Sequence, residues 1–590
     1  MSSMFAKLTA ASGPSRLLRA LRRTQGGFVV LAVLVGVGAG LGAVGFRWLI
    51  EGVTRVLSGY PDYSAVAGEP NPLVPWLGPY FVLLAPVVAG ALYGPLVYRY
   101  AREARGHGVP EVMFAVARLG GRIPPRVAVV KSLASALCIG GGGSVGREGP
   151  IVQIGSALGS SLGVLVRVGE DRLRVLVACG AAGGIAATFN APLAGVFFAM
   201  ELILRDFTAP RFGMVVLSSV TASVIARSIL GDETFLQLPE VEVEHLASYV
   251  FFVLLGALAG AVGVLFTKVL YLVEDACDTV WRGPEWLRPA VGGVLLGAFL
   301  LALPQMYGVG YPVLEKGVSG GYAVGFLLVL LIGKILACSL TIGIGGSGGV
   351  FAPTLFVGAM LGSAVGQSLH HLAPGVTGSP TAYAIIAMGS VFAGAARAPI
   401  TAVLIMYELT GDYGIILPLM AAIAVATGVS RALSDETVYT AKLLRRGVDL
   451  DLTGPAAISV TSVMTAPPAV LEPGTPLQEA AGLLLATGSG CLPVVSGTGG
   501  YQGTVSSVVA AEALAAGTPT DEPVATVLDM PKGVREEESL QEALARFAAY
   551  EGDGLPVLDA EGRQLVGWLS HRTVLSAVSA PAGPGGGPGS

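Results

Sequence analysis

Charge is what this chain has least of: Asp, Glu, Lys and Arg make up 13% of its 590 residues, about half the share of a soluble globular protein. Cysteine is sparse as well, and the five present (Cys138, Cys179, Cys277, Cys338, Cys491) are scattered. They form neither a disulfide framework nor a metal-binding spacing. A basic balance is missing too; the formal net charge is -4, which argues against a nucleic-acid partner. Neither an H-E-x-x-H pair nor a P-loop occurs, so the usual motifs of zinc hydrolases and nucleotide hydrolases are absent.

What is there instead is glycine, 84 residues of it, and long apolar runs beginning at Phe28, Tyr249, Tyr322 and Tyr413. Each reaches or approaches the roughly 20 residues that a membrane-spanning helix needs. The class is an all-α polytopic membrane protein. The first run is too long for a leader peptide and lacks a clear small-residue cleavage site. Lys7, Arg16, Arg19, Arg22 and Arg23 precede it in the basic segment 1–26, so the positive-inside rule puts the N-terminus in the cytoplasm.

Composition changes near residue 440. The apolar runs stop after the region 27–447, and residues 457–579 read as a soluble α/β domain. Strands such as "CLPVV" and "GLPVL" alternate there with helices such as "LQEAAGLLLA" and "LQEALARFAAY". The last residues, 580–590, are Gly- and Pro-rich with nothing to bury, and a disordered tail is expected.

The membrane region repeats itself. From Lys131 the chain reads "KSLASALCIGGGGSVGREGPIVQIGSALGSSLG", and from Lys334 "KILACSLTIGIGGSGGVFAPTLFVGAMLGSAVG"; at an offset of 203 they agree at 16 of 33 positions. A second pair follows, "NAPLAGVFFAMEL" from Asn190 and "RAPITAVLIMYEL" from Arg397, matching Glu201 to Glu408. Two related halves with Gly- and Pro-interrupted helices point to a transporter whose site lies where the repeats meet. Pro150 and Pro353 suit the first turn of a helix. The glycines before them let the chain break and bare its backbone N–H groups, which attract anions. Glu148, at one of these helix starts, is itself an anion and can take the place of the transported one. Protonation would remove that competition, so Glu148 is expected to gate. The plain alternative is a helix cap or a pair with Arg147.

The motifs "GHGVPEV" (106–112), "GREGP" (146–150), "GGVFAP" (348–353) and Tyr439 in "ETVYTAKLLRR" resemble the anion-pathway segments of the CLC chloride channels and exchangers, in that family's order. The tail resembles paired CBS domains, about 459–515 and 523–578. The resemblance implies an inverted-repeat fold of about 18 helices, a homodimer with one pore per subunit in the lipid bilayer, and a cytoplasmic CBS pair. It also implies chloride or a similar anion as substrate, protons as a possible second one, and the plasma (inner) membrane as location. Glu148 matches the gating glutamate. His107, Gly108, Arg147, Gly149, Val350, Phe351 and Tyr439 match the residues that line or bind the anion, Val350 and Phe351 through backbone N–H groups.

Two positions depart from the family. Where the first motif usually has serine, this chain has His107, either a ligand whose N–H donates to the anion or a ring turned aside. Where proton-coupled members carry a glutamate after the position of Glu201, this chain has Leu202, which cannot carry a proton. A passive or weakly proton-coupled anion pathway is therefore the first expectation, a stoichiometric chloride/proton antiporter the alternative, and a CBS-regulated cation transporter a distant third. Glu201 and Glu408 are read as structural carboxylates at helix ends. Tyr439 favours chloride over fluoride. In the CBS repeats Val509 and Thr573 stand where nucleotide-binding members carry aspartate, so no cofactor is expected. Enzyme chemistry is not expected either. The G-x-S-x-G matches at Ser144 and Ser347 recur in both halves without a strand-turn-helix, and His370 and His371 are read as solvated loop residues.

Overall fold

The computed structural model describes residues 20–22, 24–231, 248–373, 377–449, 458–550 and 552–579. The 580–590 tail and most of the basic segment 1–26 lie outside the described residues. The chain divides into two compact units at Arg446/Gly447.

The first unit is helical. One set runs α1 (Gln25–Ser58), α2 (Phe81–Tyr100), α3 (Val109–Arg118), α4 (Pro125–Gly140), α5 (Glu148–Val166), α6 (Glu170–Phe189), α7 (Pro192–Phe198) and α8 (Ala209–Leu230). A second set follows in the same order: α9 (Ser248–Val280), α10 (Arg288–Ala302), α11 (Tyr311–Val318), α12 (Val324–Gly343), α13 (Phe351–Leu372), α14 (Pro380–Ala396), α15 (Pro399–Thr410) and α16 (Ile416–Leu433). The short α17 (Thr440–Leu444) closes the unit. Among the described residues nine helical stretches are long and apolar enough to cross a membrane. Helix α1, with 34 residues, is about 50 Å long and must tilt in a hydrocarbon layer of about 30 Å.

Local chemistry explains where these helices begin. Proline stands at the first turn of α4, α7, α14 and α15, where its missing N–H costs nothing. Asn190 and Arg397, 207 residues apart, both adopt left-handed backbone (φ 57° and 53°) and turn the chain from α6 into α7 and from α14 into α15. Helices α5 and α6 cross at Gly155 and Gly180, where a Cβ on either residue would strike the other's carbonyl. Small residues at such crossings let apolar helices approach closely in a medium that offers no hydrophobic drive between them. His370 and His371 form the exposed last turn of α13, not a loop, because α13 runs one turn further than its Gly-rich pattern suggested.

The two sets are related by a local two-fold, as their reciprocal contacts require. Gly146 and Gly349 exchange backbone hydrogen bonds, at 2.7 and 2.6 Å. Glu201 accepts from the N–H groups of Ile400 and Thr401 at 3.2 and 2.9 Å, and Glu408 from those of Leu193 and Ala194 at 2.9 and 2.7 Å. Each carboxylate thus caps the start of the opposite half's short helix, satisfying donors that a helix start leaves unpaired. Glu408→Ala is expected to destabilise the protein by about 1–3 kcal/mol, the cost of two orphaned N–H groups, read as a lower unfolding temperature in detergent.

The second unit holds two small α/β repeats. The first comprises α18 (Leu477–Thr487), the antiparallel pair β1 (Cys491–Val495) and β2 (Tyr501–Ser506), and α19 (Ser507–Ala515). The second comprises β3 (Val534–Arg535), α20 (Leu540–Phe547), β4 (Gly554–Leu558), β5 (Leu565–Ser570) and α21 (His571–Ser579), in sheet order β3-β4-β5. Each has its own core, one around Leu471, Leu484 and Val494 and the other around Val534, Leu555 and Leu569. Ser506 caps α19 by accepting from Val509 N–H at 3.1 Å, and Ser539 with Glu542 forms a capping box on α20.

Candidate functional site

The site is the junction of the two halves, and buried lysines shape it. Lys131 is fully buried on α4, and its Nζ donates to the carbonyls of Ala104 and Gly106 at 2.9 and 2.7 Å. Lys334, its match on α12, donates to Ser144 Oγ and to the carbonyls of Gly308 and Val309. An ammonium taken from water needs such a set of acceptors. Each lysine therefore pins the loop that leads into α3 or α11. The loops are themselves repeats, "GHGVPEV" from Gly106 and "GVGYPVL" from Gly308.

Glu148 is the first residue of α5 and only 1% exposed. One carboxylate oxygen accepts from Tyr311 Oη at 2.6 Å, and the other from Ala352 N–H, on the first turn of α13, at 3.4 Å. The carboxylate of one half thus takes the helix start of the other. The donor is Ala352, one residue beyond the Val350–Phe351 pair singled out in the sequence. Arg147 stacks over the Tyr311 ring at 5.4 Å. Phe351, which stands in the second half where Glu148 stands in the first, packs its ring on Phe189 and Phe392 at 5.2 and 4.4 Å. The repeat is symmetric in backbone and asymmetric in chemistry.

Glycine makes this convergence possible. Gly108 (φ 79°) lies against the Gly149 carbonyl and Gln153, and Gly149 lies against the His107 carbonyl and Gly349. Any Cβ at Gly149 would collide with backbone, so three loops meet there at a distance only glycine allows.

At the other end of the junction His107 is fully buried. Its ring lies 6.3 Å from the ring of Tyr439 and 6.3 Å from that of Tyr271. Its Nε2 is 3.4 Å from Tyr271 Oη, and that hydroxyl donates to the Val438 carbonyl at 2.8 Å. Two cavities lead toward the junction. One, of about 560 Å³, is lined by Arg47, Asp62, Arg147, Arg227, Tyr311 and Glu315 and reaches the Glu148 end. The other, of about 680 Å³, is lined by Arg105, Tyr271, Glu274, Arg288, Lys442 and Arg445 and reaches the His107 end. Leu202 is buried in a π-helical turn (Ala199–Leu204) next to Glu201.

Of the residues named from sequence, Glu148, Gly149, Gly108, His107 and Tyr439 come together here. Tyr311 and Tyr271 were missed. Tyr311 had a signal: it is the counterpart of Val109 in the repeated loop, a hydroxyl where the first half has none. Tyr271 had none, being one aromatic in a long apolar run.

Comparison with known proteins shows the family. The model of the family described as voltage gated chloride channel matches residues 89–431, and the CBS domain model matches 460–514 and 525–580. The H(+)/Cl(-) exchange transporter ClcA of Vibrio parahaemolyticus is 34% identical over 429 residues, covering 72% of this chain and 90% of the relative. The crystal structure of a slow cyanobacterial Cl-/H+ antiporter superposes with a TM-score of 0.64 at 29% identity, over 71% of this chain and 97% of the other. That of a eukaryotic CLC transporter, at 21% identity, gives 0.61 over 92% and 97% and shares the fold. With its two matched helical sets and its CBS pair, the chain belongs to the voltage gated chloride channel (CLC) family of membrane anion transporters.

Proposed function

We propose that this protein exchanges chloride for protons, with Glu148 as the gate that both ions use. The observation that carries the reading is the seat of Glu148. Its carboxylate accepts from Tyr311 Oη and from the α13 helix start, the place where the helix dipole and free N–H groups favour an anion. For chloride to occupy that place the carboxylate must leave, and a proton on it removes both its charge and its claim on the donors. Passage of the anion and uptake of the proton are then one event. The named relatives, called exchange transporters or antiporters, support the antiporter over the channel-like pathway expected first from Leu202.

In this reading Arg147, Gly149, Val350 and Phe351 line the anion's path beside Glu148, His107 and Gly108 line it further in, and Tyr439 closes its inner end. The protein works as a homodimer with one pathway per subunit in the inner membrane, both termini cytoplasmic, and its CBS pair acts without a bound nucleotide. Leu202 favours the second reading, a channel-like pathway, because the usual inner carboxylate is replaced by a side chain that holds no proton.

Liposomes with an imposed chloride gradient separate the two. The expected result is proton movement against its own gradient, driven by chloride; chloride flux with no uphill proton movement would establish the channel. Tyr311→Phe removes one bond to the seated carboxylate, about 1.5–3 kcal/mol for an ionised acceptor. Chloride efflux at neutral pH should rise by about tenfold or more. Unchanged efflux would show that this bond does not hold the gate shut.

A further inference from the structure

Leu202 leaves open how a proton reaches Glu148 from the inner side, and the surroundings of His107 supply an answer. Tyr271 Oη donates its one proton to the Val438 carbonyl at 2.8 Å, and a carbonyl can only accept. Toward His107 Nε2, at 3.4 Å, the same oxygen is therefore the acceptor. That assigns the N–H of the neutral ring to Nε2 and leaves Nδ1 with a bare lone pair. Nδ1 is buried and has no hydrogen-bond partner among the described residues. A bare lone pair is of no use to an anion; it is a place for a proton.

The same helix carries a second such group. Glu274 lies three residues from Tyr271 on α9, one turn along the same face, and lines the same cavity. Its Oε1 is 3.9 Å from Lys442 Nζ, while Oε2 is buried without a hydrogen-bond partner among the described residues. Lys442 Nζ in turn lies directly against Gly106, the neighbour of His107. The charged and titratable groups that face the ring are Lys131 from α4, Lys442 from α17, Arg446 beyond it with its partner Glu111 from α3, Tyr271 with Glu274 from α9, and Tyr439.

We propose that His107 is the inner proton-binding site of this transporter, loaded at Nδ1 from the cavity lined by Tyr271, Glu274 and Lys442. The proposal rests on the exchange reading above. A proton from the inner solution first binds the Glu274 carboxylate and passes to the buried Nδ1 lone pair through water that enters from the cavity, giving an imidazolium and restoring the carboxylate. The imidazolium then gives up the Nδ1 proton toward the Glu148 carboxylate, and the ring returns to its Nε2–H form. Only N–H and O–H bonds are made and broken. While charged, the ring can donate to a chloride ion from Nδ1, so that proton and anion each favour the other's binding there.

The test uses the full chain in liposomes under a chloride gradient, with chloride efflux and uphill proton uptake followed together as the pH on the cavity side is varied. In the parent, protons moved per chloride fall as that pH rises, with the step below the ordinary imidazole range because burial and the nearby Lys442, Lys131 and Arg446 disfavour the charged ring. Glu274→Gln is expected to lower protons per chloride about tenfold or more. His107→Asn is expected to lower the same ratio about tenfold and to abolish its pH step. If either variant keeps the parent's ratio and pH profile, this assignment is overturned and the exchange reading stands. If the parent itself moves no protons uphill, both fall. Should His107→Asn lose all flux, Glu274→Gln decides: a lowered ratio supports the route, and the parent's ratio overturns it.

Discussion

Glu148→Ala is expected to abolish chloride-driven proton uptake while chloride continues to leak through, uncoupled. A methyl group cannot occupy the seat between Tyr311 Oη and the Ala352 N–H, so the α13 helix start is permanently open to an anion. Nor can it carry a proton across the junction. A positioned acid–base side chain is worth about 10²–10⁴ in proton transfer, so uptake should fall at least about a hundredfold. The variant's chloride flux should also lose the dependence on pH that a titrating gate imposes. Parallel recordings of chloride efflux and of pH in liposomes check both points. Proton uptake at the parent's level would show that the coupled proton takes a path that avoids this carboxylate.

The second large effect lies in a residue without a side chain. Gly149→Ala places a Cβ into the His107 carbonyl oxygen, 3.0 Å from Gly349 Cα and 3.1 Å from the His107 carbonyl carbon. All three neighbours are backbone, pinned by Lys131 on one side and by the Gly146–Gly349 bridge on the other. No rotamer change can relieve the clash. Overpacking of this kind costs about 1–3 kcal/mol even where side chains can yield, and here the cost should sit at or beyond the top of that range. The expected result is a lowered unfolding temperature together with chloride flux reduced about tenfold or more, since the junction itself must spread. Gly45→Ala, on α1 with nothing within 4 Å of the added carbon, is the control and should be neutral or slightly stabilising.

Much of this was legible in the chain. The apolar runs announce α1, α9, α12 and α16 because a spanning helix has to be long and apolar whatever its neighbours. The repeat at an offset of 203 announces α5 and α13, since two copies of one Gly- and Pro-broken pattern survive only where both have the same job. The shared motif with Glu201 and Glu408 reads as a pair of helix-end carboxylates, and that is the geometry they have, each on the opposite half. The strands and helices quoted from the tail are found as strands and helices because alternating and helical apolar periods differ over short windows.

Other features had no signature. Tyr271 sits on an apolar helix far in sequence from His107, and only the packing of α9 against that loop makes it a partner of the ring. Tyr311, the first residue of α11, has its signal only in the repeated segment, and its place on Glu148 only in the fold.

By itself, then, the sequence determined the class, the two-fold construction and the two matched helix starts at Glu148 and Phe351. Each of these follows from local composition, from proline and glycine placement, or from the chain matching itself. The tertiary structure alone decided which donors hold Glu148, which hydroxyl stands beside His107 and which cavity that tyrosine lines. Those depend on distances between residues 163 and 164 positions apart, and a hydrogen bond is sensitive to tenths of an ångström that no pattern of residue types encodes.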